Sequence, residues 1–303
     1  MEEIVGPLEA REPTAANSNG TTIEFPMPIN ARRHIKKMRG GAQAHLIEGD
    51  DGCFYVVKFL NNPQHRRILV NELVCSVFLR YLQISCADMA LIEVTPEFLS
   101  ENPQASLEMG TQSISVPVGR HFGSKFPGDP AKLAVYDFLP DLLLQKVNNL
   151  SDFRGCLVFD KWVSNADARQ SIFFRAKLRD WTLAESDHPL KLGFLALMID
   201  HGYAFNGPHW DFPDAAAQGL YTRKLAYETV RSVDDFQPWL DQIMHFPEEV
   251  IDQAYKQTPP EWIAGDEEAF EQLLENLLRR RKRLPDLISE CRKARINPFP
   301  HWT

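Results

Sequence analysis

Between residues 42 and 82 the spacing of the apolar side chains changes from strand-like to helical, and this change commits the chain to a mixed architecture. Residues 42–60 (AQAHLIEGDDGCFYVVKFL) hold two apolar runs, 44–47 and 53–60, split by Glu48-Gly49-Asp50-Asp51-Gly52. β-Branched and aromatic residues around a Gly/Asp turn predict a hairpin. Residues 65–82 (HRRILVNELVCSVFLRYL) then set Leu69, Leu73, Val77 and Val70, Val74, Phe78, Tyr81 on one side of a helix. Arg67, Asn71 and Arg80 fall on the other side, and Pro63 marks the start.

Further strands are expected over 87–94 and 111–118. Residues 119–128 (GRHFGSKFPG), rich in Gly and closed by Pro127-Gly128, read as a linker between lobes. Helical patterns follow over 131–146 and over 151–163, where Ser151 is the expected N-cap; strands are expected over 171–174 and 193–199. Past residue 225 the chain reads as helices with Pro-marked breaks, among them 230–244 and 267–278. The expected fold is α+β and two-lobed: a loose leader (1–25), a small strand-rich lobe (26–118), a linker (119–128) and a larger helical lobe (129–303).

A chain of 303 residues with 44% hydrophobic positions can bury a core of that size. Lys and Arg number 33 against 41 Asp and Glu, a net charge of -8, which argues against nucleic acid as a partner. The five Cys form no C-x-x-C pair, and no apolar stretch approaches the roughly 18 residues of a membrane span, so a cytoplasmic protein is expected. Arg279, Arg280, Arg281, Lys282 and Arg283 end a helix that begins with Asp266, Glu267 and Glu268, which suits the helix dipole and a solvated terminus. Contact with an anionic surface is the lesser reading of that run.

Four local patterns carry chemistry. Arg39-Gly40-Gly41-Ala42-Gln43-Ala44 is a small-residue turn leading into a strand, as needed where backbone N–H groups approach a phosphate. Lys58 is a lone cation among Tyr55, Val56, Val57 and Phe59, and a buried ammonium requires an anion or a ligand phosphate. A solvent-facing Lys on an edge strand is the alternative. Glu72 lies beside the apolar stripe of the next helix, where Lys58 could meet it, or where Arg66 and Arg67 could pair with it in solvent. The fourth pattern runs from Phe159-Asp160-Lys161-Trp162 through Ser164-Asn165-Ala166-Asp167-Ala168-Arg169-Gln170 into a short apolar strand, and a later strand delivers Asp200-His201-Gly202. Two carboxylates at strand ends, Asp167 and Asp200, suit one proton acceptor and one magnesium ligand, or else two capped turns.

These patterns, in this order, resemble the HipA-like kinases, a branch of the protein-kinase-like fold close to the phosphatidylinositol 3-/4-kinases. The resemblance rests on Gly40-Gly41-Ala42-Gln43, Val56-Val57-Lys58-Phe59, Asn71-Glu72, Asn165-Ala166-Asp167 and Ile199-Asp200-His201-Gly202. It implies ATP and Mg2+ as cofactors and a kinase acting on a hydroxyl, most readily of a protein. Gly40, Gly41, Ala42 and Gln43 would cover the nucleotide, Lys58 would hold its α- and β-phosphates, and Glu72 would pair with Lys58. Asp167 would be the catalytic aspartate and Asp200 the metal ligand, while the 119–128 linker would touch adenine.

The chain departs from the family pattern N-x-D-R-x-x-x-N. Ala168 follows Asp167, and Ile172 stands where the metal-binding Asn belongs. Arg169, displaced by one position, is the available catalytic-loop arginine; Gln170 is the first substitute for the metal ligand and Ser171 the second. A nucleotide-binding pseudokinase acting as an interaction module, and a phosphoinositide or small-alcohol kinase, are the competing functions. HipA proteins proper carry an extra N-terminal subdomain without a counterpart here, so neither a toxin role nor an antitoxin partner is expected. His121, His201 and His209 match no zinc-ligand spacing, no G-x-S-x-G elbow occurs, and Trp162 and Trp181 are expected in the core or along the cleft wall.

Overall fold

The computed structural model describes residues 27–181, 191–294 and 297–302; the leader expected over 1–25 lies outside them. In chain order the first lobe contains β1 (Ile29–Lys37), β2 (His45–Gly49), β3 (Phe54–Lys58), α1 (Arg67–Tyr81), β4 (Met89–Val94), α2 (Pro96–Glu101), β5 (Ser106–Met109), β6 (Gln112–Ser115) and β7 (Gly119–Lys125). The expected hairpin is β2 and β3, antiparallel from His45 opposite Val57 to Glu48 opposite Phe54. Asp51 stabilises its turn by accepting the Cys53 N–H at 3.0 Å, and Gly52 takes the left-handed conformation there.

The strands close into a barrel in the order β1-β2-β3-β7-β4, sealed by a parallel pairing of Ile29 with Ile92 and Asn30 with Glu93. Ile47, Val57, Phe59, Ile92 and Val94 fill it. The linker expected over 119–128 is instead largely β7, which lies between β3 and β4. Glycine misled the reading because it serves packing: a Cβ at Gly123 would stand 2.5 Å from Ile92 Cγ1. The strand expected over 111–118 narrows to β6, an exposed arm paired with β5 outside the barrel.

Helix α1 belongs to both lobes. Ile68, Leu69, Val70, Leu73, Val74, Phe78 and Leu79 are all fully buried, and the core around them continues through the second lobe to Trp162, Phe246 and Trp262. Each large apolar side chain so buried contributes about 1.5–3 kcal/mol relative to exposure. A helix packed on every side has no polar face, so Asn71, expected opposite the apolar stripe, is fully buried while Tyr81 is exposed.

The second lobe contains β8 (Val135–Tyr136), α3 (Asp141–Leu144), α4 (Asp152–Trp162), β9 (Gln170–Lys177), β10 (Leu192–Ile199), α5 (Trp239–Met244), α6 (Glu248–Gln257), α7 (Pro260–Ile263), α8 (Glu267–Arg280) and α9 (Leu284–Cys291). Strands β10, β9 and β8 form one antiparallel sheet. The helix expected over 131–146 reduces to one turn, α3, because Pro140 stops any helix entering from before it. The one expected over 230–244 is a 3-10 turn, Val233–Phe236, followed by α5, with Pro238 between them. Ser151 sits at the N-cap of α4 without a side-chain cap bond. Trp162 is buried against Phe78 and Phe246, whereas Trp181 is 40% exposed.

The basic run is not a uniformly solvated terminus. Arg280 is buried and binds Asp214 at 2.8 Å; Arg283 binds the same carboxylate at 2.6 Å. Arg281 donates to the Phe246 carbonyl, so the run anchors the chain inward. No helix among the described residues is long and apolar enough to cross a membrane.

Candidate active site

Strand β3 ends on Lys58, which points away from the barrel interior toward α1 and is 8% exposed. Its Nζ donates to Oε1 of Glu72 from α1 and, at 2.7 Å, to Oδ1 of Asp200. Burial pushes the ammonium pKa down, but Glu72 and Asp200 outweigh it and hold Lys58 above its ordinary value. Burial raises the Glu72 carboxyl, and Lys58 offsets part of that rise. For Asp200 the balance is reversed: burial raises it, and Lys58 draws it below the usual carboxylate range. Lys58 is therefore charged and clamped, and the edge-strand alternative is excluded.

Asp200 follows the last residue of β10 and holds φ 59°, a left-handed conformation uncommon for a residue with a side chain. The glycine two residues later supplies space, not an unusual angle. A Cβ on Gly202 would lie 2.6 Å from Ile68 Cγ2, 3.4 Å from Glu72 Oε1 and 3.7 Å from Lys58 Nζ. Only a bare backbone lets the Asp200 segment approach α1 this closely.

Asp167 stands in the loop between α4 and β9. Its N–H donates to Asn165 Oδ1 at 3.2 Å, and its own Oδ1 accepts the Ala168 N–H at 2.7 Å. Gln170 is exposed and its Nε2 donates to Asp167 Oδ2 at 3.5 Å, and on β9 it pairs with Ile199, the residue before Asp200. Gln170 thus lies between the two carboxylates, in position to share a cation with them. Ser171, the second substitute, is buried on the opposite face of β9 beside Tyr221. Alternation along a strand sends consecutive side chains to opposite sides, so Ser171 does not belong to the cleft.

Arg169 also departs from its expected place in the cleft. It is 4% exposed, its Nε donates to Asp160 Oδ2 at 2.9 Å, and its Nη2 donates to Oδ1 of the same carboxylate. Its Nη1 reaches the Ile199 carbonyl and His201 Nδ1, both at 2.9 Å. Because a guanidinium only donates, His201 accepts on Nδ1 and is neutral; burial, then Arg169, holds its pKa well below the ordinary value. Arg169 ties the loop that carries Asp167 to the end of β10, with its guanidinium turned into the core. Asp160, unassigned in the sequence reading, is its partner and also accepts from Asn165 Nδ2 at 3.0 Å.

The Gly40-Gly41 turn joins β1 to β2. Gly40 has φ 122°, and a Cβ on Gly41 would stand 2.8 Å from Gln64 Nε2. Ala42 is partly buried within the turn. Gln43 does not face the cleft: its amide donates to the Glu108 carbonyl at 2.8 Å and accepts the Glu108 N–H at 2.7 Å, stitching the turn to β5. A cavity of about 360 Å³ opens beside Asp167, lined also by Gln64, Tyr203, Asn206, Pro208 and His209. Gln64, Tyr203, Asn206 and Pro208 carried no signal at sequence level, since they lie in loops without a motif, and His209 stood out only as a histidine without zinc-ligand spacing. A larger cavity of about 540 Å³ lies elsewhere, against Ser164, Gln218, Arg283 and Ser289.

A strand-borne lysine paired with a helix glutamate, facing a carboxylate at the end of a hairpin in the other lobe, defines a two-lobed protein-kinase-like fold. The chain belongs to the HipA-like kinase family, whose family model matches residues 32–287. Among solved structures it is similar to the Golgi casein kinase with Mn/ADP bound, at 13% identity and TM-score 0.47, covering 88% of this chain and 73% of that one. A second structure of the Golgi casein kinase has the same identity and TM-score, with 88% and 74% covered. The hydra Fam20 structure with sugar is similar at 12% identity and TM-score 0.49, with 89% and 86% covered. No curated protein matches the chain in sequence.

Proposed function

We propose that the chain is an ATP-dependent phosphotransferase that moves the γ-phosphate to the hydroxyl of a Ser or Thr on a protein. The observation that carries this reading is the Lys58 ammonium clamped between Glu72 and Asp200, 2.7 Å from the latter. A buried cation held by two acids is prepared to exchange one of them for a triphosphate oxygen.

In this reading the new bond joins the acceptor oxygen to the γ-phosphorus, the bond to the ADP oxygen breaks, and Asp167 accepts the hydroxyl proton. Lys58 neutralises the phosphates, Glu72 fixes Lys58, and the Gly40-Gly41 turn brings backbone N–H groups over them. Asp200 and the Gln170 carbonyl, with phosphate oxygens, fit the oxygen-rich coordination that Mg2+ takes with one or two carboxylates. A bound Mg2+ would supply charge neutralisation on the transferred group. Catalysis is then chiefly positioning and electrostatics, because the transition state of phosphoryl transfer is loose.

The cavity beside Asp167 has no Lys or Arg in its described lining. This favours an uncharged hydroxyl over a phosphoinositide, whose phosphates need cations.

Incubation with labelled ATP and Mg2+, alone and with cell extract, should give transfer that Asp167→Asn abolishes. Folded protein that binds ATP without transferring phosphate would establish the pseudokinase instead, a reading favoured by Ala168 and Ile172 standing where the family has Arg and Asn. Absence of both binding and transfer ends both readings.

A further inference from the structure

We propose that Asn71 is a positioning residue: its buried amide joins α1 to the segment after Asp200 and holds Glu72, Lys58 and Asp200 as one unit. The inference rests on the phosphotransfer reading of that site.

Asn71 immediately precedes Glu72 on α1 and has no exposed surface. Its Nδ2 donates to the carbonyls of Gly202 at 2.7 Å, Ala204 at 3.0 Å and Gly207 at 2.9 Å. Its Oδ1 accepts the indole N–H of Trp210 at 2.8 Å. An amide nitrogen carries two hydrogens, so three carbonyls share them and the backbone wraps round the side chain. All of these partners lie within residues 202–210, while the Asn71 backbone is fixed in a helix of the other lobe.

That segment is unusual in itself. Asp200, Phe205, Asn206 and Trp210 have φ of 59°, 58°, 55° and 56°, all left-handed and none a glycine. Such conformations persist only where the surroundings over-determine them. On one side the surroundings are Asn71. On the other they are the catalytic loop: Phe205 N–H donates to the Val163 carbonyl at 2.6 Å, Asn206 N–H to the Ser164 carbonyl at 3.1 Å, and Ala166 N–H to the Tyr203 carbonyl at 2.9 Å. The position of α1 is thereby passed to Asp200 and to the loop that carries Asp167.

The bland account is a buried amide that merely satisfies a helix against a loop. Adjacency argues for more. A Cβ on Gly202 would lie 3.4 Å from Glu72 Oε1 and 3.7 Å from Lys58 Nζ, so a slip of the Gly202 carbonyl moves backbone in contact with the ion pair itself. For α1 to swing away, all four Asn71 bonds must break inside a buried core. The bonds that oppose displacement of α1 are thus the same ones that hold Glu72 and the Asp200 segment beside Lys58.

The test compares the full-length protein with Asn71→Ala and with Trp210→Phe, which removes the indole donor and keeps an aromatic ring in place. Two readouts are taken: amide hydrogen exchange across residues 200–210, and ADP formation from Mg·ATP as a function of ATP and of free Mg2+. In folded Asn71→Ala, exchange across 202–207 should accelerate while α6 stays unchanged. The kcat should fall about 10- to 100-fold, as small misplacements of reacting groups do, with KM changing far less and the free Mg2+ requirement rising. Trp210→Phe should move both readouts the same way by less, and decides the matter if Asn71→Ala does not fold. Wild-type exchange with unchanged kcat in the folded variant overturns the proposal, as does a loss of stability with kcat per folded molecule unchanged. If the wild-type protein itself neither binds nor turns over ATP, the phosphotransfer reading fails, and the exchange data alone then decide whether Asn71 couples the segments.

Discussion

Lys58 Nζ lies 2.7 Å from Asp200 Oδ1 although 142 residues separate them in the chain. That one contact joins the barrel lobe to the helical lobe, and Glu72 completes it from a helix packed into both. A cation and two carboxylates around one point make a site whose charge balance is sensitive to any single deletion.

Removing Lys58 alone should therefore be costly. Lys58→Met leaves Glu72, 2% exposed, without its cation, and a loss of about 3–5 kcal/mol is expected, by analogy with other broken buried pairs. Lys58→Met with Glu72→Met should recover much of that stability while remaining without activity. Urea denaturation of the single and double variants checks this; equal stability of wild type and Lys58→Met would show the pair to be solvated.

Arg169 and Gln170 are neighbours with separable roles. Arg169→Met strands the buried Asp160 carboxylate and should destabilise the fold by about 3–5 kcal/mol. Gln170→Ala, at an exposed position, should change stability by no more than about 0.5 kcal/mol yet raise the Mg2+ concentration needed for ATP turnover. Thermal unfolding paired with metal titration distinguishes them. The assignment of Gln170 fails if its removal leaves metal dependence untouched.

Gly202→Ala adds a methyl group 2.6 Å from Ile68 Cγ2. Overpacking of this kind costs about 1–3 kcal/mol, and here it pushes the Asp200 segment away from Lys58. Nucleotide-induced thermal stabilisation should shrink more than the intrinsic melting temperature falls. Gly202→Ala with Ile68→Val, which relieves the contact, should restore part of the nucleotide response.

The barrel interior makes stability depend on pH. His121 has no exposed surface; Nδ1 accepts the Leu60 N–H at 3.0 Å and Nε2 donates to the Pro117 carbonyl at 2.9 Å, so the ring is neutral. Burial lowers its pKa to about 4, opposed by the Pro117 carbonyl and by Glu261. His45 is lowered to about 4 as well, by burial and then by His34 and Lys37. Both folded values lie below the unfolded value near 6.5, so the unfolded chain binds more protons in between. Stability is fully present above about pH 6.5 and is lost as pH falls toward 4, by about 3 kcal/mol for His121 alone. Urea midpoints measured from pH 8 to pH 4 check this, and a flat profile contradicts it.

Much of the site was readable from local pattern because its members sit on regular elements with strong periodicity. Lys58 stood out as a charge inside an apolar strand, Glu72 as an acid beside a helical stripe, and Asp200 as a carboxylate after an apolar run. Arg169 and Gln43 were drawn in by position in a motif, but their side chains satisfy Asp160 and the Glu108 backbone. Strand β7 was missed because Gly119, Arg120, Gly123 and Lys125 dilute the apolar alternation around His121 and Phe122. Asn71 was set on a polar face that α1 does not have.

The sequence by itself determined the order of elements, the two-lobed α+β plan and the residue types available for phosphate and metal, since these follow from spacing along one short stretch at a time. Only the tertiary structure decided which charges meet. The partners of Lys58, Asn71 and Arg280 lie as far as 142, 139 and 66 residues away, and no local pattern records which distant group desolvates beside which. Burial forces each of these polar groups to find a partner, and the identity of that partner is set by the packing of α1 and the Asp167 loop around the segment after Asp200.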